Sequence, residues 1–413
     1  MDLAKYEPTG DKKNSDFFNE YRSKIYERRH ESGLADLLGV MRGIVIQVET
    51  GDAIPYLEEI YRMTPYRLAS VRLGETHKVF VLQHDPRFPL LFVIEPLSVN
   101  FEDSITRLNR LYPLARAKVN ARYVGEIFST GDVAETRKIL ESHNIRFEYP
   151  GEVENPFYTL DGFLWTFPSD NTTNRVGYSE VPFDDVAALP FGETLVLTAE
   201  EQGRLDRADQ WAREKGFESL ILGIDHMATR ILAGEREDAI LEFLTMSPYY
   251  FWGAYNIADQ NSSTNVNRHP GVEDDKISPA KVFTANNTPS FVNSFENLPM
   301  PTEDFVRNFG RRMHHSAQEV RDGDHGAGEK NIDYVVETLR DGGTPFLAHV
   351  VGECSDKPNL KQIFSKHSAY SVLITEYVER CFGYQGFFTK DNVAALTQAA
   401  GQDEHYRHGN VFD

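Results

Sequence analysis

The stretch from Met41 to Met63, "MRGIVIQVETGDAIPYLEEIYRM", places a run rich in β-branched residues directly before a run whose apolar residues recur at helical spacing. The first part predicts a strand and the second predicts an amphipathic helix. Three β-prone segments follow, "YRLASVRL", "HKVFVLQH" and "LLFVIEPL". Their order predicts one βαβββ unit, whose sheet is expected to curl around an inner face.

Similar units recur three more times along the chain. The second has the strand "NARYVGEIFS", the helix "DVAETRKILESHN" and the strands "IRFEYP" and "GFLWTFP". The third has "SLILGIDHMATRI", the helix "REDAILEFLTM", and then "YYFWGAYNI", "AKVFTAN" and "PSFVNSFENLP". The fourth has "RRMHHSAQEV", the helix "KNIDYVVETLRDGG", and then "TPFLAHVVGE", "LKQIFSK" and "YSVLITEYVERCFGY".

Four such units pair naturally into two open barrels, so the sequence predicts an α+β fold with two domains. A polar, proline-containing stretch near residues 168–207 is the expected break between them. We therefore predict an N-terminal domain at residues 1–170, a connecting segment at 171–207 and a C-terminal domain at 208–413. The inner face of such a barrel can hold a small-molecule site.

The composition is that of a globular protein, with 40% hydrophobic and 12% aromatic residues. A net charge of -20 without long basic runs argues against a nucleic-acid partner. No apolar run approaches the roughly 20 residues that span a bilayer, and the N-terminus lacks the apolar segment of a signal peptide, so we expect a cytoplasmic protein without a membrane partner. Cys354 and Cys381 cannot form a disulfide framework, and both are expected to be inert.

One acidic residue, Glu376, falls inside the β-prone run of the last unit, where a buried carboxylate needs a partner. The first strands of the third and fourth units carry His226 and His315. Two imidazoles and one carboxylate form the ligand set of non-haem Fe(II) oxygenases, and the missing thiolates disfavour a structural zinc. His314 and His315 are expected to point to opposite faces of their strand, so only one of them can face the barrel interior with His226.

The C-terminal half resembles the 4-hydroxyphenylpyruvate dioxygenases of the vicinal oxygen chelate superfamily. "GIDHMAT" is similar to the strand of the family's first ligand, "MHHSAQEV" to that of the second, and "LKQIFSK" with "LITEYVERCFGYQGF" to its closing block. The resemblance covers roughly residues 220–395 and assigns His226, His315 and Glu376 as ligands of an Fe(II) cofactor. It also implies a metal-free N-terminal domain and a C-terminal helix at the end of the catalytic domain.

The pocket residues are carried over from the same blocks. Gln362 and Phe364 of "QIF" are expected to take part in catalysis and substrate binding, and Phe387 is expected to pack against the substrate. His314 stands where the family usually has Gln, which makes it a further substrate-binding candidate. The family's "GFGxGNF" turn reads "GFFTKDNV" here, with Val393 in the place of the second Phe, so the metal chemistry is expected to be kept while aryl recognition changes.

The resemblance implies an Fe(II)-dependent dioxygenase that decarboxylates and hydroxylates a 2-oxo acid, with 4-hydroxyphenylpyruvate or a relative as substrate and dioxygen as co-substrate. A hydroxymandelate-synthase-like enzyme and a dioxygenase for another 2-oxo acid are alternatives. Extradiol cleavage of a catechol is a third; it would need an additional acid-base histidine, for which His314 and His349 are candidates. A metal-free small-molecule-binding protein on the same scaffold is a rival of another class, and assembly into a homo-oligomer is left open.

Overall fold

The computed structural model describes residues 7–98, 111–112, 115, 121–151, 154–271, 278–293, 298–326, 328–355 and 357–402. These residues contain two eight-stranded sheets and one two-stranded hairpin. In chain order the strands are β1 (Thr9–Gly10), β2 (Leu38–Gln47), β3 (Arg67–Leu73), β4 (His77–Gln83), β5 (Leu90–Pro96), β6 (Arg122–Thr130), β7 (Phe163–Trp165), β8 (Arg175–Ser179), β9 (Glu193–Thr194), β10 (Ile221–Arg230), β11 (Tyr250–Ile257), β12 (Ser262–Arg268), β13 (Ala280–Ala285), β14 (Arg312–Val320), β15 (Asp324–His325), β16 (Glu329–Lys330), β17 (Asn359–Phe364) and β18 (Ile374–Cys381).

The α-helices of the described residues lie between these strands and at the two ends. They are α1 (Lys12–Glu31), α2 (Leu34–Leu37), α3 (Ala53–Met63), α4 (Val133–Glu141), α5 (Ala199–Lys215), α6 (Arg236–Met246), α7 (Ser290–Asn293), α8 (Pro301–Phe309), α9 (Asn331–Asp341) and α10 (Lys390–Gln402). Helix α3 presents Ile54, Leu57 and Ile60 to the core, which follows from the helical spacing of its apolar residues. No helix in these ranges is both long enough and apolar enough to span a membrane.

The two large sheets have the same internal organisation. The first has the strand order β7-β8-β6-β2-β5-β4-β3-β9, and the second has β1-β11-β12-β13-β10-β14-β18-β17. In each sheet two units meet at one antiparallel strand pair, β2 with β6 and β10 with β14. The strands on the outer sides of these pairs are parallel to them, β5 and β8 in one sheet and β13 and β18 in the other. The predicted repeat is therefore present in the hydrogen-bond pattern.

Several predicted strands differ from the observed ones. "IRFEYP" and "TPFLAHVVGE" contribute only isolated bridges, Phe147 to Thr166, Phe346 to Ser365 and Val351 to Gln362. "PSFVNSFENLP" contains the short helix α7 within its described part. Strand β12, "SSTNVNR", has no apolar alternation: it buries Asn265 and Asn267, whose side-chain Nδ2 atoms donate to carbonyls of the neighbouring strand β13.

The segment predicted to connect the domains is structured. Strand β8 lies within residues 171–207, pairs with β6 and β7, and is buried along its whole length. Helix α5 begins there as well, with a capping box in which Thr198 accepts from the Glu201 amide. The prediction of a simple connector is wrong at these positions, because β8 is a short strand of mixed composition, "RVGYS", that carries no alternating pattern.

The two sheets are linked by a buried ion pair. Lys281 of β13 donates to Glu126 of β6 at 3.0 Å and to the Tyr123 hydroxyl at 2.9 Å. Lys281 and Glu126 are each 1% exposed. Burial raises the pKa of Glu126, and the Lys281 charge partly opposes this rise. Burial lowers the pKa of Lys281, and the Glu126 charge partly opposes this fall.

The two cysteines are joined to each other. Cys354 and Cys381 form a disulfide with 5.6 Å between their Cα atoms. The loop that carries Cys354 runs beside β17 through the bridge of Val351 to Gln362, and β17 pairs with β18, which ends at Cys381. The sequence separation of 27 residues gave no indication of this proximity.

Candidate metal centre

Three adjacent strands of the second sheet bring His226, His315 and Glu376 to one face. His226 of β10 pairs with Ala317 of β14, and Ala317 pairs in turn with Glu376 of β18. His226 and Glu376 therefore flank Ala317, and His315 lies two residues before it on β14. Since residues two apart share a face of a strand, all three side chains point inward.

The facing atoms of the three side chains are close together and buried. Glu376 Oε2 lies 3.2 Å from His226 Nε2 and 3.3 Å from His315 Nε2. His226 and Glu376 are inaccessible to solvent, and His315 is 6% exposed. Among the described residues, none of these three atoms has a partner in hydrogen-bond geometry. Three buried, unsatisfied lone-pair donors that converge on one point are the arrangement that a metal ion would satisfy.

A β-bulge precedes each histidine ligand candidate and adds a contact to its ring. Asp225 and His314 each stand at a register shift of the β10–β14 ladder. A bulge changes the direction of a side chain, so both residues reach the inner face. Asp225 Oδ1 lies 2.6 Å from His226 Nδ1, and His314 Nδ1 lies 2.8 Å from His315 Nδ1. The prediction that His314 points to the opposite face from His315 is therefore wrong.

Asp225 is itself fixed by Arg380 of β18. The guanidinium donates to both carboxylate oxygens, at 2.6 and 3.1 Å. Burial would raise the pKa of Asp225, but the Arg380 and His226 charges lower it instead, so it remains a carboxylate. Because that carboxylate accepts from His226 Nδ1, the Nε2 atom is the one directed at Glu376.

The second oxygen of Glu376 is held from the other side. Gln362 of β17 donates to Glu376 Oε1 at 3.0 Å, which leaves Oε2 directed at the two imidazoles. Asn392 of α10 donates to the Gln362 amide oxygen at 3.3 Å and to the Leu360 carbonyl at 2.8 Å. The C-terminal helix thus supports the carboxylate through Gln362.

The charges of the three groups are strongly coupled. Burial lowers the pKa of His315 well below its usual range, so this imidazole is neutral and can act as a ligand. Burial raises the pKa of Glu376, although the His226 imidazole opposes this. Burial also acts to lower the pKa of His226, but Glu376 and Asp225 outweigh it and raise the value to about 9. The two carboxylates thus create a negative environment around the His226 imidazole that favours a cation.

A small cavity of about 50 Å³ is lined in part by His315. The aromatic residues that line it are Phe364 and Phe388, and its polar lining includes Gln362 and the buried Arg230. The remaining lining residues are Ser262, Thr264, Val282, Thr284, Pro301, Thr302, Val393, Leu396 and Thr397. The cavity therefore combines two aromatic rings with several hydroxyl groups and one cation.

Not every predicted pocket residue lies on this cavity. Gln362 and Phe364 do, whereas His314 is enclosed by Phe305 and Phe364, with ring centroids 5.0 and 5.9 Å away. Phe387 stacks edge-on against Trp252 at 5.1 Å, and its neighbour Phe388 faces the cavity instead. His349 has no place in the lining or in the group of metal-ligand candidates.

Sequence reasoning missed four functional candidates: Asp225, Arg230, Arg380 and Asn392. Asp225 could have been found, since it directly precedes a histidine that had already been selected. Arg230 stands four residues after His226 on β10, so strand alternation alone places it on the same face. Arg380 and Asn392 carry no signal in the sequence because their partners are distant along the chain.

The equivalent positions of the first sheet hold glycine. By strand register, Gly43 corresponds to His226, Gly125 to His315 and Gly177 to Glu376. A Cβ atom at these glycines would lie 2.6 Å from Phe92, 2.1 Å from the Arg175 carbonyl and 2.6 Å from Trp165, respectively. Aromatic side chains and the neighbouring backbone therefore fill the space that the second sheet gives to its three polar groups.

The donor set fits iron. Two imidazole nitrogens and one carboxylate oxygen on one side of a buried point are what non-haem Fe(II) prefers, and the cluster contains no thiolate. The described residues contain one other candidate group, formed by Asp322, Glu379 and Cys381. In that group Cys381 is in the disulfide, and Glu379 accepts from the Gly323 and Ile332 amides. The His226, His315 and Glu376 cluster is thus the stronger site.

No protein-family model matches the sequence, and no curated protein matches it. Among solved structures, the chain is similar to a mutant of 4-hydroxymandelate synthase from Streptomyces coelicolor, with a TM-score of 0.58, 14% sequence identity and coverage of 88% of this chain and 98% of that one. It is also similar to a xylose isomerase-like TIM barrel/4-hydroxyphenylpyruvate dioxygenase fusion protein, with a TM-score of 0.55, 11% identity and coverage of 92% and 58%. These likenesses confirm the vicinal oxygen chelate fold predicted from the sequence.

Proposed function

We propose that this chain is an Fe(II)-dependent dioxygenase of a 2-oxo acid, with its active site in the C-terminal half at residues 208–413. The observation that carries the proposal is the convergence of His226 Nε2, His315 Nε2 and Glu376 Oε2, three buried atoms without hydrogen-bond partners among the described residues. These three residues would hold the metal. When bound, Fe(II) would supply open positions for a chelating 2-oxo acid and for dioxygen.

The protein's own part is to orient the ligands. Asp225, held by Arg380, fixes the ring of His226 through its Nδ1 atom. Gln362 holds one oxygen of Glu376 and so directs the other at the imidazoles. Such outer contacts prevent the ligands from rotating away and typically affect metal affinity by about 10- to 100-fold.

The cavity lining supports an anionic substrate. Arg230 is a buried cation on the cavity wall, and its charge contributes to lowering the pKa of His315. A substrate carboxylate beside Arg230 would be attracted by that charge in a site of low dielectric. Phe364 and Phe388 would exclude water around the reacting carbon.

Two kinds of 2-oxo acid are candidate substrates. The names of the similar structures suggest 4-hydroxyphenylpyruvate, oxidised either on the ring or at the benzylic carbon. A smaller or more polar 2-oxo acid is the second candidate, because the cavity holds only about 50 Å³ and its wall carries several Ser and Thr hydroxyls. Cleavage of a catechol is less well supported, since His314 is packed away from the cavity lining.

The test is to reconstitute the protein with Fe(II) under argon, add 4-hydroxyphenylpyruvate, admit oxygen, and follow oxygen uptake together with the product mass. Glu376→Gln should abolish both iron binding and uptake. Glu379→Gln is a matched control on the same strand, since Glu379 contacts backbone amides and not the imidazoles. Homogentisate or hydroxymandelate would identify the oxidised carbon.

The other outcomes separate the rival functions. One bound iron without uptake would keep the metal site and reject this substrate, and a series of aliphatic 2-oxo acids would follow. Failure of the wild type to bind iron would refute the dioxygenase and favour a metal-free binding protein on the same fold.

A further inference from the structure

Another cavity, of about 240 Å³, lies beside the pair that Asp225 forms with Arg380, and both of these residues line it. We call it the polar cavity, because four charged side chains stand on its wall. It includes none of the three metal-ligand candidates and shares no lining residue with the cavity beside His315. Its volume is below the roughly 300–1,000 Å³ of pockets that hold drug-sized ligands, so an occupant must be small.

Two of the four charges on this wall are already paired. Arg380 donates to both carboxylate oxygens of Asp225, so these two charges compensate each other. The other two charged residues are Arg268 and Glu319. Neither of them forms a hydrogen bond or an ion pair with any residue in the described ranges, and they form no ion pair with each other. One positive and one negative charge are therefore left for an occupant.

The charged atoms of both residues are accessible. Arg268 and Glu319 are each partly exposed, and none of their guanidinium nitrogens or carboxylate oxygens is a fully buried atom. The guanidinium of Arg268 lies over the ring of Phe387, 5.2 Å from its centroid, and Phe387 lines the same cavity. A cation–π contact of this kind orients the guanidinium and leaves its N–H groups able to donate to a ligand.

The surroundings of Glu319 favour a cation beside it. Burial, followed by the charge of Asp225, raises the pKa of Glu319 to about 7, and Arg380 opposes this only in part. A positively charged group of a ligand next to Glu319 would favour its carboxylate form. The wall thus has a place for a cationic group at Glu319 and for an anionic group at Arg268.

We propose that the polar cavity is a binding site for a small α-amino acid, whose carboxylate pairs with Arg268 and whose ammonium group pairs with Glu319. A guanidinium can bind a carboxylate through two parallel hydrogen bonds, which gives this end of the site its specificity. The charges of the wall balance, so a ligand that is neutral overall leaves the balance intact. The proposal does not rest on the dioxygenase reaction, because no metal-ligand candidate lines the cavity.

The test is isothermal titration of the full chain with three small probes at pH 8, where Glu319 is mainly charged. L-Alanine carries both charged groups, L-alaninol lacks the carboxylate, and propionate lacks the ammonium group. We expect one L-alanine to bind per chain. Each analogue should bind about tenfold more weakly or worse, because it loses the hydrogen bonds to one charged residue.

Variants remove the two charges one at a time. In Arg268→Met, L-alanine and L-alaninol should bind with affinities within about twofold of each other, because the carboxylate has lost its partner. In Glu319→Gln the same should hold for L-alanine and propionate. Arg268→Lys keeps a cation and should keep the preference for L-alanine over L-alaninol. Circular dichroism would verify that each variant is folded.

The remaining outcomes would overturn the proposal. The wild type might bind no L-alanine; it might bind propionate equally well, which indicates an anion site only, or L-alaninol equally well, which indicates a cation site only. A preference that survives removal of the matching charge would also overturn it. Glu376→Gln, which removes a metal-ligand candidate, should bind L-alanine as the wild type does. Loss of binding in that variant would assign the probe to the metal centre instead.

Discussion

The buried ion pair between Lys281 and Glu126 gives the sharpest stability prediction, because the two residues belong to different sheets. In Lys281→Met the Glu126 carboxylate would stay 1% exposed without its cation. Removing one member of a buried pair typically costs about 3–5 kcal/mol. If Glu126 takes up a proton instead, holding a carboxyl of ordinary pKa near 4.3 neutral at pH 7 costs about 3.7 kcal/mol, at 1.36 kcal/mol per pH unit. The two routes together predict a loss of about 3–5 kcal/mol at pH 7.

The same reasoning sets the pH dependence. Neutral Glu126 requires no partner charge, so the penalty in Lys281→Met should fall to about 1 kcal/mol at pH 5. In the double variant Lys281→Met/Glu126→Leu no charge remains buried, and its stability should lie within about 1 kcal/mol of the wild type. Lys330→Met is the control: Lys330 pairs with the exposed Asp324 at 2.8 Å, and its removal should cost less than about 1 kcal/mol.

The assay is denaturant unfolding of the four proteins at pH 7 and pH 5. The reasoning would be refuted if Lys281→Met lost less than about 1 kcal/mol at pH 7. It would also be refuted if the loss were the same at both pH values, or if the double variant were less stable than Lys281→Met.

Three further predictions concern single residues. Asp225→Asn should weaken Fe(II) affinity by about 10- to 100-fold, measured by competition with a chelator, because the His226 ring loses its carboxylate acceptor; an unchanged affinity would mean that the ring is held by packing alone. Burial raises the pKa of Glu59 to about 7 in the folded protein, so its proton gives stability that is lost as the pH rises and the proton leaves. Between about pH 4.5 and pH 7 the free energy of unfolding of the wild type should therefore fall by roughly 2–3 kcal/mol through this group. Glu59→Gln should abolish this fall, and parallel pH profiles of the two proteins would contradict the prediction. Cys354→Ser should lower stability by about 2–4 kcal/mol under oxidising conditions and by nothing in excess reductant; a loss that persists in reductant would assign the effect to packing of the loop.

Much of the fold could be predicted because the repeat is visible in hydrophobic period. The strand-to-helix transition after Met41 and the helix at Asn331–Asp341 both have clear patterns. Strand β12 could not be predicted, since its buried amides bond to the backbone of β13 and leave a polar sequence. The connector prediction failed for a related reason, because β8 is stabilised by its two neighbouring strands and not by a pattern of its own.

The sequence predicted the three ligand candidates but not the residues that hold them in place. Strand order and family resemblance selected His226, His315 and Glu376, and the structure brings these three together. The exact faces depended on bulges at Asp225 and His314, which a simple alternation rule places on the wrong side. The lining of the cavity beside His315 depended on which of two adjacent residues, Phe387 and Phe388, faces it, and their sequence contains nothing that distinguishes them.

The three glycines of the first sheet have a consequence for any attempt to build a second centre by symmetry. Substituting His, His and Glu at Gly43, Gly125 and Gly177 would reproduce the three ligand residue types, but the Cβ atom of each new side chain would clash with atoms already present. At Gly125 the obstacle is the Arg175 backbone, which no rotamer change removes. Point substitutions alone therefore cannot give the first sheet the three polar groups of the second sheet. An engineer would first have to move β8 and empty the aromatic core beneath it.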